Sequence, residues 1–313
     1  METTGILLQG VVVIVAILLG VRTGGIGLGL WGLVGLAILV FGFGLPPGDA
    51  PVTSMLIILS VITAASTMQS VGGIDYLVEV AKKLLKKRPA YIAVIAPIVA
   101  FIFTLGAGTG FIYYPLIPVI FAVAYANMVR PERPLAVAST ASQFAITASP
   151  VSAAMATMVG ILDPVGFGIT DILIVILPAS IVGLLAASFL QMRVGKELKD
   201  DPEYQKRVAA GEIQPVDMSV LEERKLPVEA KRSTMIFLAG IAVIMVLGMF
   251  EQLRPAFPDE LGELVPLSTA VMIQIAMGVT ATVIVLTCKV NIKTVVTQST
   301  MTSGLIGLIA LFG

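Results

Sequence analysis

Long apolar stretches separated by short polar segments run along the whole chain. A full bilayer crossing takes about 20 predominantly apolar residues in a helix. Most of the stretches are long enough to cross with some tilt, so the pattern predicts an all-α polytopic membrane protein. The stretches occupy residues 5–21, 24–45, 51–72, 90–105, 115–126, 135–148, 150–162, 171–192, 234–250, 268–288 and 301–313.

Four stretches that are too short for a full crossing fall together in residues 90–162, where helix-breaking residues interrupt the apolar sequence twice. The first break is GAGTG at 106–110, followed by Pro115 and Pro118; the second is TASPVS at 147–152. In lipid a broken helix leaves backbone groups without hydrogen-bond partners, unless protein or a water-filled cavity receives them. Two such breaks predict a binding site near the middle of the membrane.

The first break predicts a re-entrant hairpin over residues 90–126. Prolines favour the first turn of a helix, and a helix over 115–126 is only about 18 Å long, too short to cross the apolar core. Gly108, Thr109 and Gly110 are then at the hairpin tip. Two tight full spans remain the alternative.

The second break predicts one membrane helix over 135–162 that is interrupted midway. Ser149 is expected to be the N-cap of a new half-helix, with Pro150 in its first turn. The unpaired N–H groups and the positive dipole end of that half-helix would face the membrane centre. An ordinary proline kink is the alternative.

The distribution of Lys and Arg predicts the orientation in the membrane. Basic residues cluster in 82–88 and in the polar segment 193–233, which holds nine Lys/Arg and nine Asp/Glu, whereas 251–267 is acidic. Placing the basic clusters in the cytoplasm puts the N-terminus outside. Segment 193–233 is interpreted as a cytoplasmic linker, with a short surface helix at 201–208; a partner-binding or regulatory role is the alternative.

After the linker, the order of elements restarts in the inverted direction. This pattern predicts an inverted repeat, with residues 1–192 as the first membrane repeat and 234–313 as the start of the second. The second repeat stops within its third element, at 301–313. The chain is therefore expected to be an N-terminal fragment that ends inside a helix.

Composition excludes several functional classes. The chain is 57% hydrophobic and 13% charged with zero net charge, so nothing indicates nucleic-acid binding. It has no His and one Cys, Cys288, which excludes disulfide frameworks and Cys/His metal sites and is expected to be an inert buried thiol. No metal site or cofactor is predicted, and an enzyme is disfavoured because the spans carry no carboxylate pair, His or reactive Cys.

Glycines in the second stretch indicate close helix packing. Gly25, Gly29 and Gly32 are spaced to lie on one helix face. Gly27, Gly29 and Gly32 also match G-x-G-x-x-G, but that motif needs a preceding strand and a βαβ unit to bind a dinucleotide. Packing is the expected role.

The breaks offer backbone amides and hydroxyl groups rather than charged side chains. Amides at helix starts and glycines, with the hydroxyls of Thr109, Thr147, Ser149 and Ser152, suit a small carboxylate anion. Carbonyls freed by the breaks would suit Na⁺ instead. The lack of charged residues argues against a proton relay or a buried ion pair.

Several strings together resemble the anaerobic C4-dicarboxylate uptake (Dcu) transporters of the A and B type. They extend along the whole chain: RTGGIGLG at 22–29, GGIDYL at 72–77, KLLKKRP at 83–89, GAGTG at 106–110, RPERP at 130–134, ITASPVSAA at 146–154 and DDPEY at 200–204.

The resemblance implies exchange of C4-dicarboxylates across the bacterial inner membrane, with fumarate, malate or aspartate entering and succinate leaving. It implies an ion-transporter-like fold in which hairpin and broken helix move together as an elevator. The implied substrate-binding residues are Gly108, Thr109 and Gly110 at the tip and Thr147, Ser149, Pro150 and Ser152 in the broken helix.

Three functional alternatives stay open at this point. The first is a symporter coupled to Na⁺ or H⁺, the second is a receptor or scaffold acting through 193–233, and the third is an ion channel. The expected partners are C4-dicarboxylates and membrane lipid, with no nucleic acid. A homodimer is left open.

Overall fold

The computed structural model describes residues 2–48, 52–212, 218–258, 262–298, 301–302 and 305–306, and in them the chain is almost entirely helical. One antiparallel hairpin of two exposed strands is the exception, with Ala256 opposite Pro266. The elements are α1 (Glu2–Thr23), α2 (Gly27–Ala37), α3 (Val52–Ser70), α4 (Gly73–Lys87), α5 (Ile92–Ala107), α6 (Leu116–Ala126), α7 (Glu132–Ala148), α8 (Ala153–Leu162), α9 (Ile169–Gln191), α10 (Pro202–Ala209), α11 (Val228–Met249), β1 (Ala256–Pro258), β2 (Leu264–Pro266), α12 (Thr269–Cys288) and α13 (Ile292–Val296).

Seven helical segments in the described part of the chain are long and apolar enough to cross a membrane. This confirms the predicted polytopic membrane protein. The seven are Gly5–Thr23, Val52–Ser70, Pro89–Ala107, Glu132–Leu162, Ile169–Gln191, Val228–Met249 and Thr269–Cys288, where Glu132–Leu162 contains the second break. Most of the stretch 301–313, expected to begin a further span, lies outside the described residues.

The second apolar stretch is shorter than a full crossing, contrary to the prediction for 24–45. Gly24 and Gly25 adopt positive φ angles of 66° and 52° in a turn, so the helix begins only at Gly27. It ends with a π turn at Gly42. Gly25 therefore does not pack on a helix face; instead a Cβ on Gly35 would lie 3.0 Å from Cβ of Ala16, which brings α1 and α2 close together.

Helix α3 lies at the centre of the packed core. Its residues Ile57, Ile58 and Met68 are each 1% exposed. It packs against α12, α8 and α11, and Ser54 Oγ donates to Ala156 O of α8 at 3.4 Å. Helix α9 is much less enclosed, with long apolar side chains on its surface, as expected for a helix that faces lipid.

Amphipathic α4 was not predicted from the sequence. Gly72, at φ 85°, ends α3 and turns the chain into it. Its apolar face is buried, and on the same face Lys82 pairs with Glu79 at 2.6 Å and donates to Glu222 O at 3.1 Å. Lys82, the first residue of the basic cluster 82–88, therefore binds the linker at Glu222.

The predicted short helix in the linker is confirmed as α10, with Asp201 as its N-cap. This helix is fastened to the end of α6, because Tyr204 Oη donates to Tyr125 Oη at 2.9 Å. That hydrogen bond, the largest of the causes, raises the pKa of the Tyr204 hydroxyl above its ordinary value of 10.0.

Arg130 and Arg133 fasten the start of the linker to the turn between α6 and α7. Arg133, which is 7% exposed, pairs with Glu197 and donates to Val194 O at 2.7 Å and to Gly195 O at 2.8 Å. Arg130 pairs with Asp201 at 3.3 Å. The linker is therefore packed against the membrane helices at both ends.

Candidate functional site

The first break separates α5 from α6. Helix α5 ends at Ala107, and Gly108 follows with φ 69°, its N–H donating to Thr104 O at 2.9 Å. A 3₁₀ turn over Gly110–Tyr113 and then Pro115 lead into α6. The predicted helix–break–helix arrangement is confirmed, and α5, with 16 residues, is longer than α6, with 11.

The second break separates α7 from α8 and is a turn with extended backbone at its two ends, closed by the hydrogen bond from Ser152 N to Ser149 O at 3.2 Å. Ser149 has φ −81° and ψ 125°, and Ser152 has φ −90° and ψ 157°. Ser152 Oγ accepts the hydrogen bond from Met155 N at 3.0 Å. The N-cap of the half-helix is therefore Ser152, and the prediction that Ser149 caps it is wrong.

The two breaks lie against each other. Ser149 Oγ donates to Leu105 O in the last turn of α5 at 2.6 Å. A Cβ on Gly108 would lie 2.6 Å from Val151 O, so only glycine allows this approach. Before the breaks, Thr104 Oγ1 of α5 and Ser142 Oγ of α7 are 2.9 Å apart and buried. These contacts join the hairpin and the broken helix into one unit.

The predicted site residues fall into three groups. Gly108, Thr109 and Gly110 are half-buried at the tip. Ser149, Pro150 and Ser152 are buried in the second break, with both serine hydroxyls bonded to backbone. Thr147 is exposed, and its hydroxyl donates to Phe144 O of its own helix at 2.7 Å, so it is not directed into the break.

The first turn of α8 contributes two groups that the sequence interpretation did not single out. Ser152 Oγ accepts the N–H of Met155, whereas the backbone N–H groups of Ala153 and Ala154, as first-turn amides, have no hydrogen-bond partner among the described residues. Ala153 is exposed and Ala154 is half-exposed. The signal was present in the sequence, since any N-cap implies free amides in the turn that follows.

The electrostatic character of the site comes from the backbone. Segments 92–126 and 134–162 contain no Asp, Glu, Lys, Arg or His. The start of α8 carries about half a unit of positive charge from the helix dipole. Such an arrangement can bind an anion without any cationic side chain.

Comparison with known proteins identifies the family. The family described as anaerobic C4-dicarboxylate membrane transporter matches residues 5–313. The chain belongs to this DcuA/DcuB family. Membership confirms the resemblance found in the sequence and makes the chain a multi-pass membrane transporter rather than an enzyme.

Two relatives within the DcuA/DcuB family are similar to this chain over almost all of the chain's length. It is 37% identical to the anaerobic C4-dicarboxylate transporter DcuB of Escherichia coli O6:H1, with 98% of the chain and 69% of the relative aligned. It is 39% identical to the C4-dicarboxylate transporter DcuA of Wolinella succinogenes, with 96% and 68% aligned. No solved structure matches the chain.

Proposed function

We propose that the protein exchanges C4-dicarboxylates across the bacterial inner membrane, taking up fumarate, malate or aspartate and releasing succinate. The substrate class follows from the family and from its relatives, which are named as C4-dicarboxylate transporters. The observation that carries the proposal is the contact between two helix breaks beside the unpartnered amides of Ala153 and Ala154.

In this proposal one carboxylate binds at the start of α8, where the two free N–H groups and the helix dipole attract negative charge. An anion at a helix N-terminus gains about 0.3–1 kcal/mol when exposed and up to about 2 kcal/mol when partly buried. The backbone of Gly108, Thr109 and Gly110 binds from the tip side. Ser149 and Ser152 stabilise the non-helical backbone of the break: the Ser149 hydroxyl donates to Leu105 O, and the Ser152 hydroxyl accepts the N–H of Met155.

The proposed orientation has the N-terminus outside and the linker 193–233 in the cytoplasm. The two ends of the hairpin, at 88–91 and 127–129, line one cleft together, which supports their lying on the same side of the membrane. Helix α6 has 11 residues and is about 16 Å long, too short to cross. This length supports a re-entrant hairpin over two full spans, within a first repeat comprising residues 1–192.

We propose an elevator movement in which the hairpin and the broken helix move as one body against α3. The contacts between the breaks support their moving together. The surface between α8 and α3 includes one close contact between small residues: a Cβ on Gly160 of α8 would lie 2.3 Å from Ser54 Oγ of α3. A contact between small side chains offers few interlocking groups to resist sliding.

Counterflow in proteoliposomes tests the transport mode. Liposomes loaded with succinate should take up labelled fumarate, and liposomes without internal dicarboxylate should not. Uptake that needs a Na⁺ or H⁺ gradient but no internal succinate would show a symporter instead. Steady ionic conduction in bilayer recordings would show a channel, and no flux in either assay would favour a receptor or scaffold.

The site assignment predicts that Ser149→Ala and Thr109→Ala reduce exchange at least about tenfold, a loss equivalent to about 1.4 kcal/mol of transition-state stabilisation. Ser149→Ala removes the hydrogen bond that positions the break against Leu105 O, and Thr109→Ala alters the tip. Labelled fumarate–succinate exchange is measured at equal amounts of protein in the membrane. Thr157→Ala is the matched control, since that hydroxyl donates only to Ala153 O of its own helix. Parental exchange rates in both site variants would refute the assignment.

A further inference from the structure

An open cleft of about 590 Å³ lies at the foot of the hairpin, away from the helix breaks. Its first wall is the segment 88–91, which leads into α5. Its second wall is the turn 127–129 after α6, and its third wall is formed by Glu197 and Lys199 of the linker. The cleft is therefore the place where both ends of the hairpin meet the cytoplasmic linker.

The side chains that line this cleft carry an excess of positive charge. Arg88 and Lys199 are both exposed, and neither forms an ion pair with any carboxylate in the described part of the chain. The carboxylate of Glu197 is already neutralised, because it pairs with Arg133 and accepts the N–H of Arg130 at 3.3 Å. Two cations on different walls thus face one cavity without a counter-charge.

The position of the cleft indicates where its ligand comes from. Apolar α5 begins at Ile92, directly after the cleft wall. Tyr91 lines the cleft and is 58% exposed, which is typical of an aromatic side chain at the membrane–water interface. Basic clusters at that level attract anionic lipid headgroups on the cytoplasmic side.

We propose that this cleft binds a phosphate anion, with Arg88 and Lys199 pairing with the phosphate from two walls. The position at the interface favours the headgroup of an anionic phospholipid such as phosphatidylglycerol as the source. The same chemistry would accept a soluble phosphate monoester. This site is independent of the dicarboxylate site and of the transport mode.

Native mass spectrometry of the detergent-purified protein titrated with phosphatidylglycerol tests the proposal. At about 1 kcal/mol for each cation near the headgroup, Arg88→Gln and Lys199→Gln should each weaken retention about fivefold, and the double variant about thirtyfold. Lys87→Gln and Lys206→Gln are matched controls, since each removes one nearby positive charge from a residue that does not line the cleft. The conservative double variant Arg88→Lys with Lys199→Arg should retain binding, which separates loss of charge from loss of fold.

A second arm with glycerol 3-phosphate as the probe distinguishes the two sources. Lipid retention that depends on both cations and resists excess glycerol 3-phosphate supports the headgroup. Binding of glycerol 3-phosphate with the same dependence on Arg88 and Lys199 supports the phosphate site with a soluble ligand. If neither probe separates the double variant from the two control variants, the proposal is wrong.

Discussion

At the residue scale, Gly108 decides whether the two helix breaks can touch. Its φ of 69° is in the left-handed region, and a side chain there would meet Val151 O at 2.6 Å. Two separate penalties therefore act on any substitution: backbone strain of about 1–2 kcal/mol and a clash with a backbone atom that belongs to the other break. Sequence reasoning identified this glycine as part of a tip, while the contact itself is visible only in three dimensions.

Gly108→Ala is expected to lower the melting temperature of the purified protein and to reduce exchange, because the tip must move away from Val151. Fluorescence-detected size-exclusion after heating measures the melting temperature. Gly183→Ala in α9 is the control, since nothing lies within 4 Å of a Cβ placed there and alanine favours helix. Equal melting temperatures for the two variants would show that the close approach does not contribute to stability.

The position of the N-cap was also decided at this scale. A residue before proline is disfavoured in helical conformation, and Ser149 before Pro150 is accordingly extended. The chain needs three further residues before helical hydrogen bonding restarts, so Ser152 rather than Ser149 is the cap. The sequence predicted the break correctly, and the interpretation misplaced the cap by treating Pro150 as the first helical residue.

At the element scale, the linker is held by buried charge rather than left loose in solvent. Arg133 donates to the carbonyls of Val194 and Gly195 near the start of the linker, and Lys82 donates to the carbonyl of Glu222 in its second half. Helix α4, which supplies Lys82, was not predicted because its 15 residues are amphipathic and charged, whereas a membrane span is recognised by a long apolar run. An amphipathic helix can be recognised from its sequence pattern, but the segment that packs against it cannot.

Arg133→Gln is expected to release the start of the linker, because it removes the ion pair with Glu197 and the bonds to Val194 O and Gly195 O. Hydrogen exchange of peptides covering 194–201 should become at least about tenfold faster, which corresponds to a loss of about 1.4 kcal/mol of local stability. Arg207→Gln is the matched control, since the ion pairs of Arg207 are largely exposed. Unchanged exchange in the Arg133 variant would show that the anchor does not hold the linker.

At the scale of the whole molecule, charge asymmetry and helix length together define the proposed orientation. Lys82, Arg130 and Arg133 all bind the linker, through the carbonyl of Glu222 and the carboxylates of Asp201 and Glu197 respectively. On the other side, Arg254 donates to Thr269 Oγ1 at 3.2 Å, and Thr269 Oγ1 donates to Asp163 Oδ1 at 3.2 Å. The two ends of the bundle are therefore tied by different sets of polar contacts.

This orientation predicts which cysteine variants react from outside. In a Cys288→Ser background, Phe257→Cys, at a position that is 57% exposed, should react with a membrane-impermeant maleimide on intact spheroplasts. Lys206→Cys should react only after the membrane is permeabilised. The parent protein, whose Cys288 is 5% exposed, is the unlabelled control. Labelling of position 206 on intact spheroplasts would contradict the proposed orientation.

The sequence by itself determined the positions of most membrane helices and of the two breaks, because lipid imposes length, apolarity and backbone pairing on each segment locally. Only the tertiary structure decided what the breaks do. The bond from Ser149 to Leu105 O joins residues 44 positions apart, and the bonds that anchor Arg133 join residues more than 60 positions apart. Such long-range pairs leave no periodic pattern in either segment, and so the contact between the breaks and the linker anchor became visible only once the chain had packed.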